Sequence, residues 1–142
     1  MSNIRAIDLF CGTGGLSLGL QQAGIEVVAG IDLEHRCKYP YEHNLNAQFI
    51  EASVVDVTAE MLNELWGQGA LRLLAGCAPC QPFSSQRRGK DPSQHKNWRL
   101  LDEFGRLIRE TSPDYVTMEN VPLLARDAMF KRFVQTLETE GY

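Results

Sequence analysis

Short apolar runs alternate with amphipathic ones along the whole chain. Five runs have the length and composition of buried strands: Ile4 to Phe10, Ile25 to Ile31, Gln48 to Glu51, Leu71 to Ala75 and Tyr115 to Glu119. Helical periodicity is found at Gly15 to Ala23, around His35 to Asn46 where Pro40 should disturb it, from a Thr58 cap to about Trp66, at Trp98 to Glu110 and at Phe130 to Glu140. This alternation predicts an α/β, doubly wound, mainly parallel sheet with helices on both faces. Such sheets bind ligands beyond the carboxyl ends of their strands.

Composition narrows the class of protein. A chain of 142 residues that is 44% hydrophobic and 23% charged is expected to form one folded domain. Its four cysteines, Cys11, Cys37, Cys77 and Cys80, are too sparse and irregular for a disulfide framework, which favours reduced thiols and a cytoplasmic location. No apolar run has the length of a signal peptide or membrane span, so no membrane association is predicted. The net charge of −4 gives no global attraction to nucleic acid.

Possible nucleotide-binding features follow the first three predicted strands. The turn Gly12-Thr13-Gly14 lets a ligand approach the backbone at a helix N-terminus, although a plain tight turn explains such glycines nearly as often. Ser17 replaces the third glycine of G-x-G-x-x-G, which disfavours a dinucleotide. Asp32 either accepts hydrogen bonds from ribose hydroxyls or caps a helix, with even weight on spacing alone. Asp56 is placed to meet an adenine amino group, although capping or a loop role is the default for one aspartate.

The stretch GCAPCQPFS, from Gly76 to Ser84, carries the strongest candidate for chemistry. A thioredoxin-like pair fits the spacing of Cys77 and Cys80, but Pro82 makes helical continuation awkward. A zinc site lacks a second ligand pair, so no metal is predicted. The third interpretation is a single nucleophile, Cys80, held at the top of a strand by flanking prolines. Glu119, at the end of the next strand, can reach the same pocket as a general acid or hydrogen-bond donor.

Three motifs in this order resemble the DNA cytosine-5 methyltransferases: DLFCGTGG (8–15), PCQPFS (79–84) and ENV (119–121). The resemblance implies a Rossmann-like, S-adenosylmethionine-dependent methyltransferase fold. It also implies that Cys80 adds to C6 of a flipped-out cytosine in double-stranded DNA while Glu119 protonates N3. Asn120 would brace the cysteine loop. The positions that match the family's cofactor contacts are Phe10, Gly12, Gly14, Asp32, Leu33, Asp56, Val57, Pro79 and Leu100.

A locally basic segment lies between Ser84 and Arg99, in the loop that closes over DNA in this family. Its candidate substrate contacts are Ser84, Arg87, Arg88 and Lys90, whose binding to phosphates would depend strongly on salt; a solvated loop is the plainer interpretation.

Residues 1–142 match only the N-terminal part of the family's catalytic domain, so the fold is expected to be C-terminally incomplete, without a target-recognition domain. The chain is therefore expected to be a fragment or one part of a split enzyme, inactive without the missing part. Self-association through an exposed sheet edge is a further expectation. A thiol-disulfide oxidoreductase and a noncatalytic binding remnant remain the alternatives.

Overall fold

A computed structural model describes residues 3–79 and 98–142 of the chain. The strands are β1 (Ile4–Leu9), β2 (Glu26–Asp32), β3 (Gln48–Glu51), β4 (Leu71–Gly76) and β5 (Tyr115–Met118). The α-helices are α1 (Gly15–Gln22), α2 (Lys38–Asn44), α3 (Ala59–Trp66), α4 (Trp98–Thr111) and α5 (Ala128–Thr139). Short 3₁₀ helices cover His35–Cys37, Val54–Asp56 and Pro122–Arg126. The predicted α/β class and order of elements are confirmed.

The described strands form one parallel sheet in the order β3-β2-β1-β4-β5. The chain adds strands outward from β1 on one side and then returns to continue on the other side. Connections leave β1 and β4 in opposite directions, which opens a crevice above the carboxyl ends of these strands. The predicted ligand edge of the sheet therefore lies at the β1/β4 switch point.

Helices cover both faces of the sheet, because successive strand residues point to opposite sides. On one face, Ile7 and Leu74 pack with Trp66 of α3 and Phe104 of α4 in the largest apolar cluster. On the other face, the smaller clusters are formed by residues around Ala6 and Val27 and by Cys11, Tyr41, Leu45 and Phe49. This arrangement makes the sheet doubly wound.

Helix starts agree with local side-chain chemistry. The Thr58 hydroxyl accepts a hydrogen bond from the Met61 amide at 3.3 Å, as the predicted cap requires. Pro40 is the third residue of α2, within the first turn, where a missing backbone donor costs little. No helix in the two described ranges is long and apolar enough to cross a membrane.

Candidate functional site

A cleft of about 250 Å³ opens at the predicted edge of the sheet. Its walls come from the ends of β1 and β2, the segment after β3, the segment after β4 and the first turn of α4. The lining residues are Leu9, Phe10, Ile31, Asp32, Leu33, Ala52, Ser53, Val54, Pro79 and Leu100. Among the described residues that line the cleft, Asp32 is the sole carboxylate and most of the others are apolar; Leu33 beside it is 70% exposed. This combination suits a ligand with a flat apolar part and adjacent hydroxyl groups.

Asp32 fastens the turn that follows β1. Its Oδ2 accepts a hydrogen bond from the Gly12 amide at 2.8 Å, and its Oδ1 accepts one from the Glu34 amide at 2.9 Å. The cap of the next helix, the 3₁₀ helix His35–Cys37, is Glu34, whose side chain accepts a hydrogen bond from the Arg36 amide, so the capping alternative for Asp32 is wrong. Asp32 orders backbone on two sides and also lines the cleft, and its contact with ribose hydroxyls stays a prediction. Each carboxylate oxygen retains acceptor capacity for a further donor.

The backbone between β1 and α1 adopts left-handed conformations at three positions. Phe10 has φ 58°, which is uncommon for a residue with a side chain, and Phe10 lies in the cleft wall. Gly12 and Gly14 have φ 51° and 97°. Gly14 faces away from the cleft, since a methyl group there would overlap with Leu45 and stand 3.0 Å from Tyr41. Gly14 is therefore needed for packing of the turn on α2, a reason that the motif did not reveal.

A buried polar chain lies beneath this turn. Ser17 Oγ donates to Asp8 Oδ2 at 2.6 Å and is 2.8 Å from the Tyr41 hydroxyl. All three residues are buried, and Asp8 Oδ1 has no hydrogen-bond partner within residues 3–79 and 98–142. Burial raises the pKa of Asp8 to about 6, although the bond from Ser17 opposes the rise. The sequence places Asp8 and Ser17 in the glycine motif but gives no sign of Tyr41.

The ends of β4 and β5 bring together a second group of polar side chains. The Glu119 amide donates to the Gly76 carbonyl at 3.1 Å, which extends the pairing of the two strands. Cys77 Sγ donates to Glu119 Oε2 at 3.1 Å. Asn120 Nδ2 donates to the carbonyl of Ala78 at 2.8 Å. The three residues after β4, Cys77 to Pro79, are thus held by the sequence that follows β5, and Pro79 lies in the wall of the cleft.

The structure brings some of the predicted cofactor residues together and separates others. Phe10, Asp32, Leu33, Pro79 and Leu100 all line the cleft. Gly12 and Gly14 build the adjacent turn without lining it.

Asp56 is exposed on the turn after β3, while Val57 is only 1% exposed and packs in the apolar core. Neither residue lines the cleft, so any contact of Val57 with a ligand is left to its backbone. The predicted nucleophile Cys80 and the loop residues Ser84, Arg87, Arg88 and Lys90 lie outside the described residues.

Sequence reasoning missed Ala52, Ser53 and Val54, which form the cleft wall contributed by the chain after β3. The signal that was available is their position, directly beyond a predicted strand and ahead of Asp56. Ser53 caps the following turn by accepting a hydrogen bond from Val55 at 3.4 Å. Its small side chain leaves the space that the cleft occupies.

Comparison with known relatives gives close matches over nearly the whole chain. Type II methylase M.HgiDII of Herpetosiphon aurantiacus is 48% identical over 139 residues, which are 96% of this chain and 39% of the relative. The tRNA (cytosine(38)-C(5))-methyltransferase of Bos taurus is 27% identical, with 100% of this chain and 36% of the relative covered. The chain thus spans well under half the length of these two relatives.

A solved structure and a family model also match nearly the whole chain. A protein described as a DNA modification methyltransferase encoded within a prophage of E. coli superposes with a TM-score of 0.78 at 26% identity. The superposition covers 96% of this chain and 38% of the solved one. The family model for the C-5 cytosine-specific DNA methylases matches residues 4–142. That match includes 139 of the 142 residues, and the cleft lies at the ligand edge of the sheet, beside the glycine turn and Glu119. The chain therefore belongs to the C-5 cytosine-specific DNA methylase family.

Proposed function

We propose that this chain provides the cofactor-binding and nucleophile-bearing part of an enzyme that methylates C5 of cytosine in DNA. The observation that carries the proposal is the hydrogen bonding between the ends of β4 and β5. Asn120 and Glu119 hold the segment that leads directly into Cys80, and Pro79 of that segment also lines the cleft. A nucleophile, an acid and a cofactor cleft would thereby share one edge of the sheet.

The residues of the cleft fit S-adenosylmethionine. Apolar walls from Phe10, Leu33 and Leu100 suit an adenine ring, and the remaining acceptor capacity of Asp32 suits ribose hydroxyls. When bound, S-adenosylmethionine supplies an electrophilic methyl group on its sulfonium. Gly12 and Asp56 stand at the ends of β1 and β3, where we place contacts through the backbone and an exposed carboxylate.

In the proposed reaction, the Cys80 thiolate forms a bond to C6 of a cytosine that has left the base stack. Glu119 gives a proton to N3, so electron density collects at C5, which would then bond to the methyl group while the bond from that methyl to the sulfonium sulfur breaks and S-adenosylhomocysteine leaves. Loss of the C5 proton to a base restores the C5–C6 double bond and expels Cys80 as a thiolate, and N3 returns its proton to Glu119. The contact between Cys77 and the Glu119 carboxylate keeps that group at the edge where the ring must lie.

DNA contacts form a separate part of the proposal. Ser84, Arg87, Arg88 and Lys90 are assigned to the phosphate backbone near the flipped base, which positions the duplex without reading its sequence. Because relatives such as M.HgiDII are more than twice as long, we assign base recognition to segments beyond these 142 residues. Methyl transfer is expected to need those segments, and a cytoplasmic location is part of the same proposal because DNA is the substrate.

Covalent trapping tests the nucleophile. The chain is mixed with, or joined to, the remaining segments of the family fold and incubated with tritiated S-adenosylmethionine and mixed-sequence duplex DNA that contains 5-fluorocytosine. Fluorine at C5 cannot leave as a proton does, so the Cys80 bond to C6 should persist in denaturing gels. Cys80→Ser should abolish this complex because a hydroxyl is a far weaker nucleophile, whereas Cys77→Ala should reduce its rate by about tenfold or less.

Different failures have different meanings. Equal loss in Cys77→Ala and Cys80→Ser would favour a paired-cysteine redox function, which a disulfide formed between them under mild oxidation would support. Trapping by Cys80→Ser would overturn the assigned nucleophile. Methyl incorporation into mixed-sequence RNA but not into DNA would retain the chemistry and overturn the substrate.

A further inference from the structure

An arginine of α4 reaches the turn that follows β3. Arg106 Nη2 donates to the carbonyl of Val57 at 3.0 Å and to the carbonyl of Val54 at 3.3 Å. These two carbonyls stand at the two ends of the Asp56 turn, the 3₁₀ helix Val54–Asp56 with the residue that follows it. One guanidinium nitrogen therefore ties both ends of the turn to a helix about fifty positions later in the chain.

Two carboxylates hold the guanidinium in this orientation. Arg106 Nε donates to Glu103 Oε2 at 2.6 Å, and Arg106 Nη1 donates to Glu110 Oε2 at 2.8 Å. The arginine side chain is 26% exposed and the Glu103 side chain is 19% exposed, so this pair is partly shielded from solvent, whereas the Glu110 side chain is 41% exposed. A planar group with all three nitrogens engaged has little freedom to leave the turn.

The Asp56 turn also reaches the cleft. Val54, whose carbonyl Arg106 binds, is one of the residues that line the cleft. Asp56 is exposed on the same turn. A shift of the turn would change the shape of this wall and the place of the Asp56 carboxylate together.

We propose that Arg106 is a positioning residue for the cofactor. By binding the two carbonyls at the ends of the Asp56 turn, Arg106 orders Val54 and Asp56 before the ligand binds. The inference rests on the proposed function, since it takes the ligand of the cleft to be S-adenosylmethionine. Arg106 lines the outer side of the turn and not the cleft, and Asp56 lies on that outer side too, so Arg106 acts on the cleft through the turn that carries Val54. Ordering the turn in advance removes an entropy cost from binding.

The first measurement is hydrogen exchange of the turn itself. The amides of Asp56 and Val57 donate to the carbonyls of Ser53 and Val54, so their exchange reports closure of the turn. In Arg106→Met these two amides should exchange about tenfold faster, while amides between β1 and β2 keep their rates. Arg109→Met removes an exposed arginine from the same helix and should change neither set.

The second measurement is the affinity of the chain for S-adenosylmethionine by titration calorimetry. Arg106→Met should weaken binding by about tenfold, Arg106→Lys by less because it restores one donor group, and Arg109→Met should leave it unchanged. Asp56→Ala should also weaken binding. If Arg106 acts through the turn, the double variant should bind no more weakly than about the weaker single variant.

Two results would overturn the inference: Arg106→Met with the affinity of the unmodified chain, or losses from Arg106→Met and Asp56→Ala that multiply. If the proposed function itself is wrong, the result differs from both of these. Neither the unmodified chain nor Asp32→Ala would then bind S-adenosylmethionine, and the exchange rates alone would decide whether Arg106 orders the turn.

Discussion

Asp8 is a carboxylate with 0% exposure at the centre of the sheet; one oxygen accepts a hydrogen bond from Ser17, and the other has no partner in the part of the chain that the structure describes. Burial raises its pKa from 3.8 to about 6. Below about pH 4 both the folded and the unfolded chain hold this proton. As the pH rises from about 4 to 6 the unfolded chain releases it first, so the stability that the carboxyl contributes is lost over that range. The difference between these two pKa values corresponds to about 3 kcal/mol in the free energy of unfolding.

Asp8→Asn should therefore flatten the pH dependence of stability. We expect the free energy of unfolding of the variant, relative to the unmodified chain, to rise by about 3 kcal/mol between pH 4 and pH 7. Urea unfolding at a series of pH values measures this difference, and taking the difference cancels the titration of the other carboxylates. Parallel curves for the two proteins would show that Asp8 does not titrate with a raised pKa.

Ser17→Ala provides the matching change from the other side of the hydrogen bond. Because the Ser17 bond lowers the pKa of Asp8, its removal should move the loss of stability to higher pH. If the stability of Ser17→Ala falls over the same pH range as that of the unmodified chain, the Ser17 hydrogen bond does not affect the pKa of Asp8.

At the residue scale, sequence reasoning located side chains that stand at strand ends and did not locate contacts that depend on a distant partner, while the roles of these residues stay predictions. Asp32 and Glu119 were found because each ends or follows a predicted strand. Val57 was predicted to contact the cofactor; its side chain is in the core, and a contact through its backbone stays a prediction. Arg106 was not singled out, since its partners are backbone carbonyls that the fold brings near and that no residue type reveals.

At the scale of elements, the turn between β1 and α1 depends on Gly14. Replacement by alanine should lower the free energy of unfolding by about 2–5 kcal/mol, from the left-handed backbone and from overlap with Leu45 together. Leu45 and Tyr41 are 6% and 0% exposed, so neither can move aside cheaply. Urea unfolding of Gly14→Ala measures the loss.

Gly15→Ala is the control for that change. Gly15 begins α1 and has open space around the added methyl group, so stability should stay the same or rise by up to about 1 kcal/mol. A Gly14→Ala variant as stable as Gly15→Ala would mean that the turn repacks without strain.

Element positions were predictable because hydrophobic period and capping residues are local signals. β3 was predicted with its observed bounds, and the Thr58 cap begins α3 as expected. The start of α5 was placed two residues late, because the prediction began at the first residue of the apolar face, Phe130, whereas Asp127 caps the helix by accepting from the Met129 amide. The packing of α2 through Tyr41 could not be predicted from local pattern. Tyr39 and Tyr41 are equivalent in the sequence, and only the position of α2 on the sheet buries Tyr41 and exposes Tyr39.

For the whole molecule, β5 is an edge strand of the described sheet, with Tyr115 49% exposed. An edge strand presents unpaired backbone groups, so we expect the chain to self-associate as its concentration rises. Tyr115→Lys should raise the fraction of monomer by placing a charge on this edge, whereas Leu18→Lys, on an exposed position of α1, should leave it unchanged. Light scattering over a dilution series follows the mass. A monomer at all concentrations, or equal effects of the two lysines, would contradict edge pairing.

The strand order also sets a schedule for synthesis. β1 lies in the middle of the sheet, yet its neighbour β4 follows β3 by twenty residues, from Glu51 to Leu71. A three-stranded sheet can therefore form on the ribosome while one side of β1 still lacks its partner. At the usual pace of translation, the 25 residues from Glu51 to Gly76 take roughly one to five seconds to appear. During that interval the backbone groups of β1 that will later pair with β4 are unpaired and can pair with a strand of another chain. We therefore expect the nascent chain to bind chaperones that cover exposed strand edges.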